Sequence, residues 1–229
     1  MKLTWFGHST FRVEIGASVL FIDPFLKGNP SFEASGIAWD EAVAGTTHIA
    51  LTHGHDDHLG DTVEIATKFG ATVFAVYELV LHVGAKGAEK LEPMGQGGTV
   101  KATDFSVTLT HAQHSSSSNG IYLGTACGLM IRAQKGQTLY HMGDTDIFPG
   151  MELINTLYNP DVGIVPVGDR FTMGARTAAY ACKTYFDFKS VIPCHFGTFP
   201  ILEPNADKFV AEMSGDIVVV PKLGEAIEI

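Results

Sequence analysis

The sequence predicts a mixed α/β protein in which two sheets pack face to face and helices cover them on the outside. Strand-like runs occur in both halves of the chain with helical periodicity between them, which places sheet and helix in the same core. At 229 residues and 45% hydrophobic content, the chain buries a sizeable core without help from disulfides or metal. No Ser/Gly/Pro-rich linker or long charge run separates two cores, so residues 1–229 read as a single domain.

The elements follow in order. Residues 2–6, 10–15 and 18–22 are rich in Trp, Phe, Val and Ile, with Gly7 and Gly16-Ala17 as the turns of an antiparallel meander. Residues 48–52 form a strand. Leu59, Val63, Ala66 and Phe69 recur at helical spacing and stop at Gly70. Strand 72–76 and helix 77–85 come next, and a Gly-rich passage at 95–98 precedes strand-like runs at 105–111, 120–132 and 137–142. The remainder alternates: helix 150–158, strand 162–166, helix 175–186, strand 190–194, helix 205–213 and strand 217–220.

Fifteen basic and twenty-five acidic residues give a net charge of -10, which argues against a nucleic-acid partner. No apolar run reaches membrane-spanning length, and the first eight residues are too short and polar for a signal-peptide core, so a soluble cytoplasmic protein is expected. A small-molecule substrate and, as an option, a homo-oligomer complete the expected partners. Cys127, Cys182 and Cys194 are odd in number and lack a Cys-x-x-Cys pair, which predicts buried free thiols.

The chemistry concentrates in His53-Gly54-His55-Asp56-Asp57-His58, three imidazoles and two carboxylates within six residues directly after an apolar run. Crowded this closely, such groups repel or desolvate one another unless a cation gathers them. Imidazole nitrogen and carboxylate oxygen suit borderline divalent ions such as zinc. Downstream, His114 (with His111 on the same loop), Asp144 in a Gly-Asp-Thr turn, and His195 in a Cys-His-Phe-Gly-Thr segment each follow a strand-like run. His48 in a strand and His82 on a helix read as core or surface histidines.

The order His-x-His-x-Asp-His, then His, then Gly-Asp, then His resembles the signature of the metallo-beta-lactamase-fold hydrolases. That resemblance implies a four-layer αββα sandwich. It further implies that His53, His55 and His114 hold one divalent ion, that Asp57, His58 and His195 hold a second, and that Asp144 bridges them. Zinc is the first expectation for both ions, with manganese or iron as alternatives. Between ions roughly 3.5–4 Å apart, a bridging hydroxide is the nucleophile. Asp57 and His8 are the catalytic candidates, His8 as an acid or a substrate contact through its similarity to a Gly-His-Ser element. Asp23 is similar to an early Ile-Asp element that orients a ligand, and is otherwise an ordinary turn residue before Pro24. His141 is expected inside its strand.

Residues 168–174 suit a substrate-facing wall or a helix entry capped by Thr172, and the Ser115–Gly120 run suits a partly flexible loop at the edge of the site. The missing signal peptide, appended helical domain, basic arm and flavin domain separate the chain from several branches of the family. The Gly-His-Ser start and Cys-His-Phe-Gly-Thr end look most like the small bacterial metal-dependent hydrolases grouped with ascorbate-6-phosphate lactonase and N-acyl-phosphatidylethanolamine phospholipase D. The implied reaction is hydrolysis of an ester, lactone or phosphodiester. The alternative is a non-catalytic metal-binding module on the same fold. A serine hydrolase is disfavoured, because Gly7-His8-Ser9-Thr10-Phe11 lacks the closing glycine of a nucleophile elbow.

Overall fold

The structure is a computed structural model that describes residues 1–213 and 217–229. Its amino-terminal meander is β1 (Lys2–Trp5), β2 (Phe11–Ile15) and β3 (Ser18–Ile22). In β2 the inward Phe11, Val13 and Ile15 alternate with half-exposed Arg12 and Glu14, the period of a strand with one buried face. Helices α1 (Pro30–Ser35) and α2 (Trp39–Ala42) follow, then β4 (His48–Ala50), α3 (Asp56–Leu59), α4 (Thr62–Phe69), β5 (Thr72–Val76), α5 (Tyr77–Ala85) and β6 (Leu91–Met94).

The second half begins with β7 (Thr99–Lys101) and β8 (Phe105–His111), and β9 (Ser117–Ser118) and β10 (Ile121–Tyr122) form a small hairpin. Then come β11 (Cys127–Ala133), β12 (Thr138–His141), α6 (Met151–Tyr158), β13 (Val162–Pro166), α7 (Ala175–Tyr185), β14 (Ser190–Cys194), α8 (Asp207–Met213) and β15 (Ala226–Glu228).

Two large sheets result, a seven-stranded one in the order β15-β1-β2-β3-β4-β5-β6 and a six-stranded one in the order β14-β13-β12-β11-β8-β7. Their inner faces share one core. Phe74 of the first sheet stacks on His48 at 5.6 Å and meets Phe105 of the second edge-on at 6.2 Å, while Phe11 meets His141 across the same interface at 5.6 Å. α4 and α5 pack on the first sheet, and α6, α7 and α8 pack on one another. This is the αββα sandwich that the motif order implies. Cys127, Cys182 and Cys194 are free and buried, and no helix among the described residues is long and apolar enough to cross a membrane.

Topology puts the loops of interest on one edge. β3 and β4 run parallel, as do β12, β13 and β14. β8 is antiparallel to β11, which is antiparallel to β12, so β8 shares the direction of β12. The loops after β3, β4, β8, β12, β13 and β14 therefore leave at the carboxyl ends, the usual place for a site in such sheets. The β1–β2 turn joins them because β2 runs antiparallel to β3.

Several elements differ from the sequence reading; α1, α2, β6, β7 and β9 were not expected, and four further differences follow. The helix over 59–69 is split at Gly60 (φ 40°), where a Cβ would meet the Pro24 carbonyl oxygen at 2.4 Å; that close approach lets the cluster loop pack on the Asp23-Pro24 turn. The run 120–132 divides into β10 and β11. In place of a strand over 217–220, only Val218 bridges to Val191. Val219 and Val220 are exposed there, so no buried apolar face fixes a register. β15 was not expected; it pairs with β1 and brings Ile229 to Met1, with both backbone hydrogen bonds between them formed.

Phe74 is expected to be a keystone between the sheets. Phe74→Ala should lower unfolding free energy by about 3–5 kcal/mol in chemical denaturation, whereas Leu157→Ala, at a position 71% exposed, should stay within about 0.5 kcal/mol. Equal losses would contradict this placement.

Candidate metal centre

The site is built outward from Asp23. This residue leaves β3 in the left-handed region (φ 45°), which turns its carboxylate across the end of β4. Asp23 Oδ1 accepts the Thr52 backbone N–H at 2.8 Å, and Oδ2 accepts the Thr52 hydroxyl at 2.6 Å. Oδ2 also accepts Nδ1–H of His58 at 2.7 Å. With its proton given to Asp23, the Thr52 hydroxyl is free to accept Nδ1–H of His53 at 3.0 Å. Both rings are thereby oriented with Nε2 pointing away from the support.

Asp144 comes from the opposite sheet. It follows Gly143 (φ 68°), where a Cβ would meet the Cys127 carbonyl oxygen at 2.5 Å and Thr52 Cβ at 3.2 Å, so only glycine lets the two sheets' loops approach this closely. His141 braces the turn by accepting the Gly143 N–H on Nδ1 at 3.0 Å, and burial pushes this histidine down to about 4. Asp144 Oδ2 lies 3.0 Å from His195 Nε2, 3.4 Å from His58 Nε2 and 3.6 Å from His114 Nε2. Burial opposes its charge, yet His195 and His58 hold the carboxyl well below the usual carboxylate range.

His195 also sits in the left-handed region (φ 61°) and donates its backbone N–H to the His8 carbonyl at 3.0 Å. A Cβ on Gly168 would stand 1.9 Å from the His195 carbonyl oxygen and 2.9 Å from its Nδ1. Glycine at 168 is thus a condition for the position of His195. The loop that follows is tied to the same edge, since Met173 N–H donates to the Thr145 carbonyl at 3.1 Å. Asp169 and Arg170 are both left-handed and Phe171 is exposed. Gly174, not Thr172, stands at the N-cap of α7, without a side-chain cap.

The ligand-type atoms fall into three overlapping groups: His53, His55 and His114; His8, Asp57, His58 and His195; and His53, His58 and Asp144, the atoms within each lying within 4.8 Å of one another. An ion about 2.0–2.2 Å from each donor demands convergence of this kind. Burial pushes His53, His55 and His114 below the usual histidine range, leaving neutral rings with a lone pair to give, the ligating form. His58 is opposite in kind: burial disfavours its charge, but Asp144, Asp23 and Asp57 hold a proton on it. Nε2 of His58 is the atom through which this residue would hold a cation in place of that proton. His58 Nε2 and Asp144 Oδ1 are buried without a hydrogen-bond partner, as donors that face a further group require. The residues therefore fit divalent metal.

Every residue taken from the motif order is brought to this edge. His111 is not: it is exposed and packs edge-on against Phe148 at 4.9 Å. His8 is 0% exposed, against 31% for the Asp57 side chain. Its Nε2 lies 3.0 Å from Asp57 Oδ2 and its Nδ1 3.0 Å from Thr198 Oγ1. Burial, with His195 nearby, pushes His8 down to about 4. Burial raises Asp57, but His58 and His8 outweigh it and keep this carboxyl charged.

Sequence reasoning missed Thr52, Ser116, Gly168 and Thr198. It also gave the Ser run too much freedom: Ser115 Oγ lies 3.3 Å from His55 Nε2, Ser116 Oγ accepts the Gly54 N–H at 3.0 Å, and Ser118 donates to Asp56 at 2.6 Å. One signal was available, because a serine run beside a ligand supplies hydroxyls for the loop backbone.

Residues 2–195 match the family described as Beta-lactamase superfamily domain. A UPF0173 metal-dependent hydrolase from Brucella abortus (strain S19) is 54% identical over 219 residues, which cover 93% of this chain and 92% of the relative. Another, from Methylocella silvestris, is 53% identical over 230 residues, 98% of each chain. A metallo hydrolase from the hyperthermophilic archaeon Ignicoccus hospitalis superposes with a TM-score of 0.87 at 32% identity, covering 99% of this chain and 97% of that one. An isothiocyanate hydrolase from Delia radicum gut bacteria shares the fold with a TM-score of 0.80 at 18% identity, over 100% of this chain and 99% of that one. By motif order, fold and identity along nearly its whole length, the chain belongs to the metallo-beta-lactamase-fold superfamily and, within it, to the UPF0173 metal-dependent hydrolases.

Proposed function

We propose that residues 1–229 act as one hydrolase domain that holds two divalent ions and cleaves an ester, lactone or phosphodiester bond in a small molecule. His53, His55 and His114 take the first ion, Asp57, His58 and His195 the second, and Asp144 both. Zinc suits this nitrogen-and-oxygen set best, with manganese or iron as alternatives. The supporting observation is the position of Asp144 Oδ2, 3.0–3.6 Å from imidazole nitrogens on three separate chain segments, one in the first ligand set and two in the second. A paired centre of this kind supplies a hydroxide nucleophile near neutral pH and a clamp for the oxygen on which charge develops.

The chain's own groups do the rest. Asp57 is the motif carboxylate with the most solvent reach, 31% exposed against 3% for Asp144, so it is the group placed to take a proton from an attacking water. Asp23 and Thr52 fix the rings of His58 and His53, and Gly168 gives His195 its room. Residues 168–174 and the β9–β10 hairpin touch the site's loops, through Met173 to Thr145 and Ser118 to Asp56, and their exposed Phe171, Ile121 and Tyr122 are the apolar surface assigned to a substrate.

Metal-free protein assayed on a panel of esters, lactones and phosphodiesters, with zinc and manganese added separately, is expected to turn over at least one class only when metal is present. Metal binding with no turnover on any class would favour a non-catalytic metal module instead. Elemental analysis after dialysis should find about two ions per chain; a content well below one that zinc, manganese or iron fails to restore would contradict the paired centre.

Two variants probe the ligand assignment. Asp144→Asn should lower turnover by more than about 100-fold, beyond the 10–100-fold of an outer partner, while its thermal midpoint stays within about 4 °C of the parent. Loss of activity only in step with loss of folded protein would make Asp144 structural. His114→Ala should empty the first ion site in a metal titration and His111→Ala should leave it filled; the reverse pattern contradicts the assignment.

A further inference from the structure

We infer that His8 and Thr198 form a positioning pair that aims the Asp57 carboxylate at the second ion site, and that His8 does not meet substrate. The inference rests on the two-ion reading above. It starts from the turn between β1 and β2, where Gly7 (φ 94°) and His8 (φ 51°) are both left-handed. Thr10 N–H donates to the Gly7 carbonyl and Phe6 N–H to the Thr10 carbonyl, each at 3.0 Å, so the turn is closed by its own backbone. The His8 carbonyl accepts the Trp5 indole N–H and the His195 N–H, also at 3.0 Å each. Its main chain is therefore fixed to the strand below and to the His195 loop beside it.

The ring has no face left for a substrate. It lies 4.0 Å from the His195 ring, 5.6 Å from Phe199 and 6.0 Å from Phe25, centroid to centroid. Both nitrogens are engaged, Nε2 with Asp57 Oδ2 and Nδ1 with Thr198 Oγ1. A neutral imidazole has one N–H and one lone pair. The Asp57 carboxylate can only accept, so it calls for the N–H on Nε2 and leaves the lone pair on Nδ1; the Thr198 hydroxyl, which also lies 3.3 Å from the Phe196 carbonyl, completes the pair when it turns its proton to Nδ1 and so favours the tautomer that donates to Asp57. A carboxylate held through Oδ2 keeps Oδ1 free. Asp57 is also the least buried of the proposed second-site ligands, 31% exposed against 2% for His195 and 0% for His58, so it has the most freedom to swing away without that hydrogen bond. Thr198 is itself buried and adjoins His195 through Phe196 and Gly197, which joins both second-site loops to one hydroxyl.

The test is titration of metal-free protein with cobalt(II), followed by its visible absorption and by chelator competition, for the parent, His8→Phe, Thr198→Val and Thr198→Ser. His8→Phe keeps a ring but removes the N–H, and should weaken the second ion by about 10–100-fold while the first is unchanged. Thr198→Val should weaken the same ion by a smaller factor, and Thr198→Ser, which keeps the hydroxyl, should restore parental binding. If the parent binds two ions and His8→Phe keeps both at parental affinity, the inference falls while the two-ion reading stands. Thr198→Ser binding as weakly as Thr198→Val also overturns it, because the threonine then acts by packing; this comparison decides the matter even where His8→Phe does not fold. A parent that binds fewer than two ions overturns the two-ion reading first.

Discussion

A carboxylate taken out of water is tolerated only where positive charge or donors surround it, and Asp144, 3% exposed, is where this chain concentrates that demand. Its Oδ2 faces three imidazoles supplied by both halves of the sandwich, so the site exists only when the two sheets are docked. His58 stands at the centre, gripped by Asp23 on Nδ1 and facing Asp144 on Nε2. Asp23, His58 and Asp144 are thus joined through one ring, Asp23 by a hydrogen bond and Asp144 by its charge. The proposed ions fit this logic by replacing the proton on His58 and meeting the neutral lone pairs of the other rings.

The scaffold bears the strain that this convergence requires. Among the described residues, the non-glycine positions with positive φ are His8, Asp23, Asn119, Asn159, Asp169, Arg170 and His195. All but the two asparagines, which tolerate that region readily, lie on loops at the site's edge. Each costs about 1–3 kcal/mol, a penalty sustained because β1, β3 and β13 are paired on both sides and the His195 loop after the edge strand β14 is held by its hydrogen bond to the His8 carbonyl. Gly143 and Gly168 extend the same principle: each removes a Cβ where one sheet's loop presses on a neighbour, and each thereby brings a histidine or aspartate within reach.

Much of this was legible in the sequence wherever the signal was local. The six-residue cluster, the three downstream islands and the Gly70 stop are short patterns of residue type, and each lies where the pattern put it. Signals that depend on a distant partner were not legible. β15 is three residues long and exists because β1 offers an open edge. Residues 217–220 have strand composition but no face to bury. The helix α1 had a readable start in Asn29-Pro30 and a stop in Gly36, with Asn29 Oδ1 accepting the Ser31 and Phe32 N–H groups, and its shortness hid it from periodicity. His8 read as a residue near the chemistry; that its ring is buried with Nε2 on Asp57 and Nδ1 on Thr198 follows only from how the first turn packs on the His195 loop.

Asp144 is proposed to join two ions between the sheets. Anomalous diffraction from crystals of the metal-loaded protein, collected on either side of the absorption edge of the bound metal, tests it most directly. Two peaks roughly 3.5–4 Å apart are expected, one facing His53, His55 and His114, the other facing Asp57, His58 and His195, with Asp144 between them. A single peak, or peaks that leave Asp144 outside the coordination of either ion, would contradict the account.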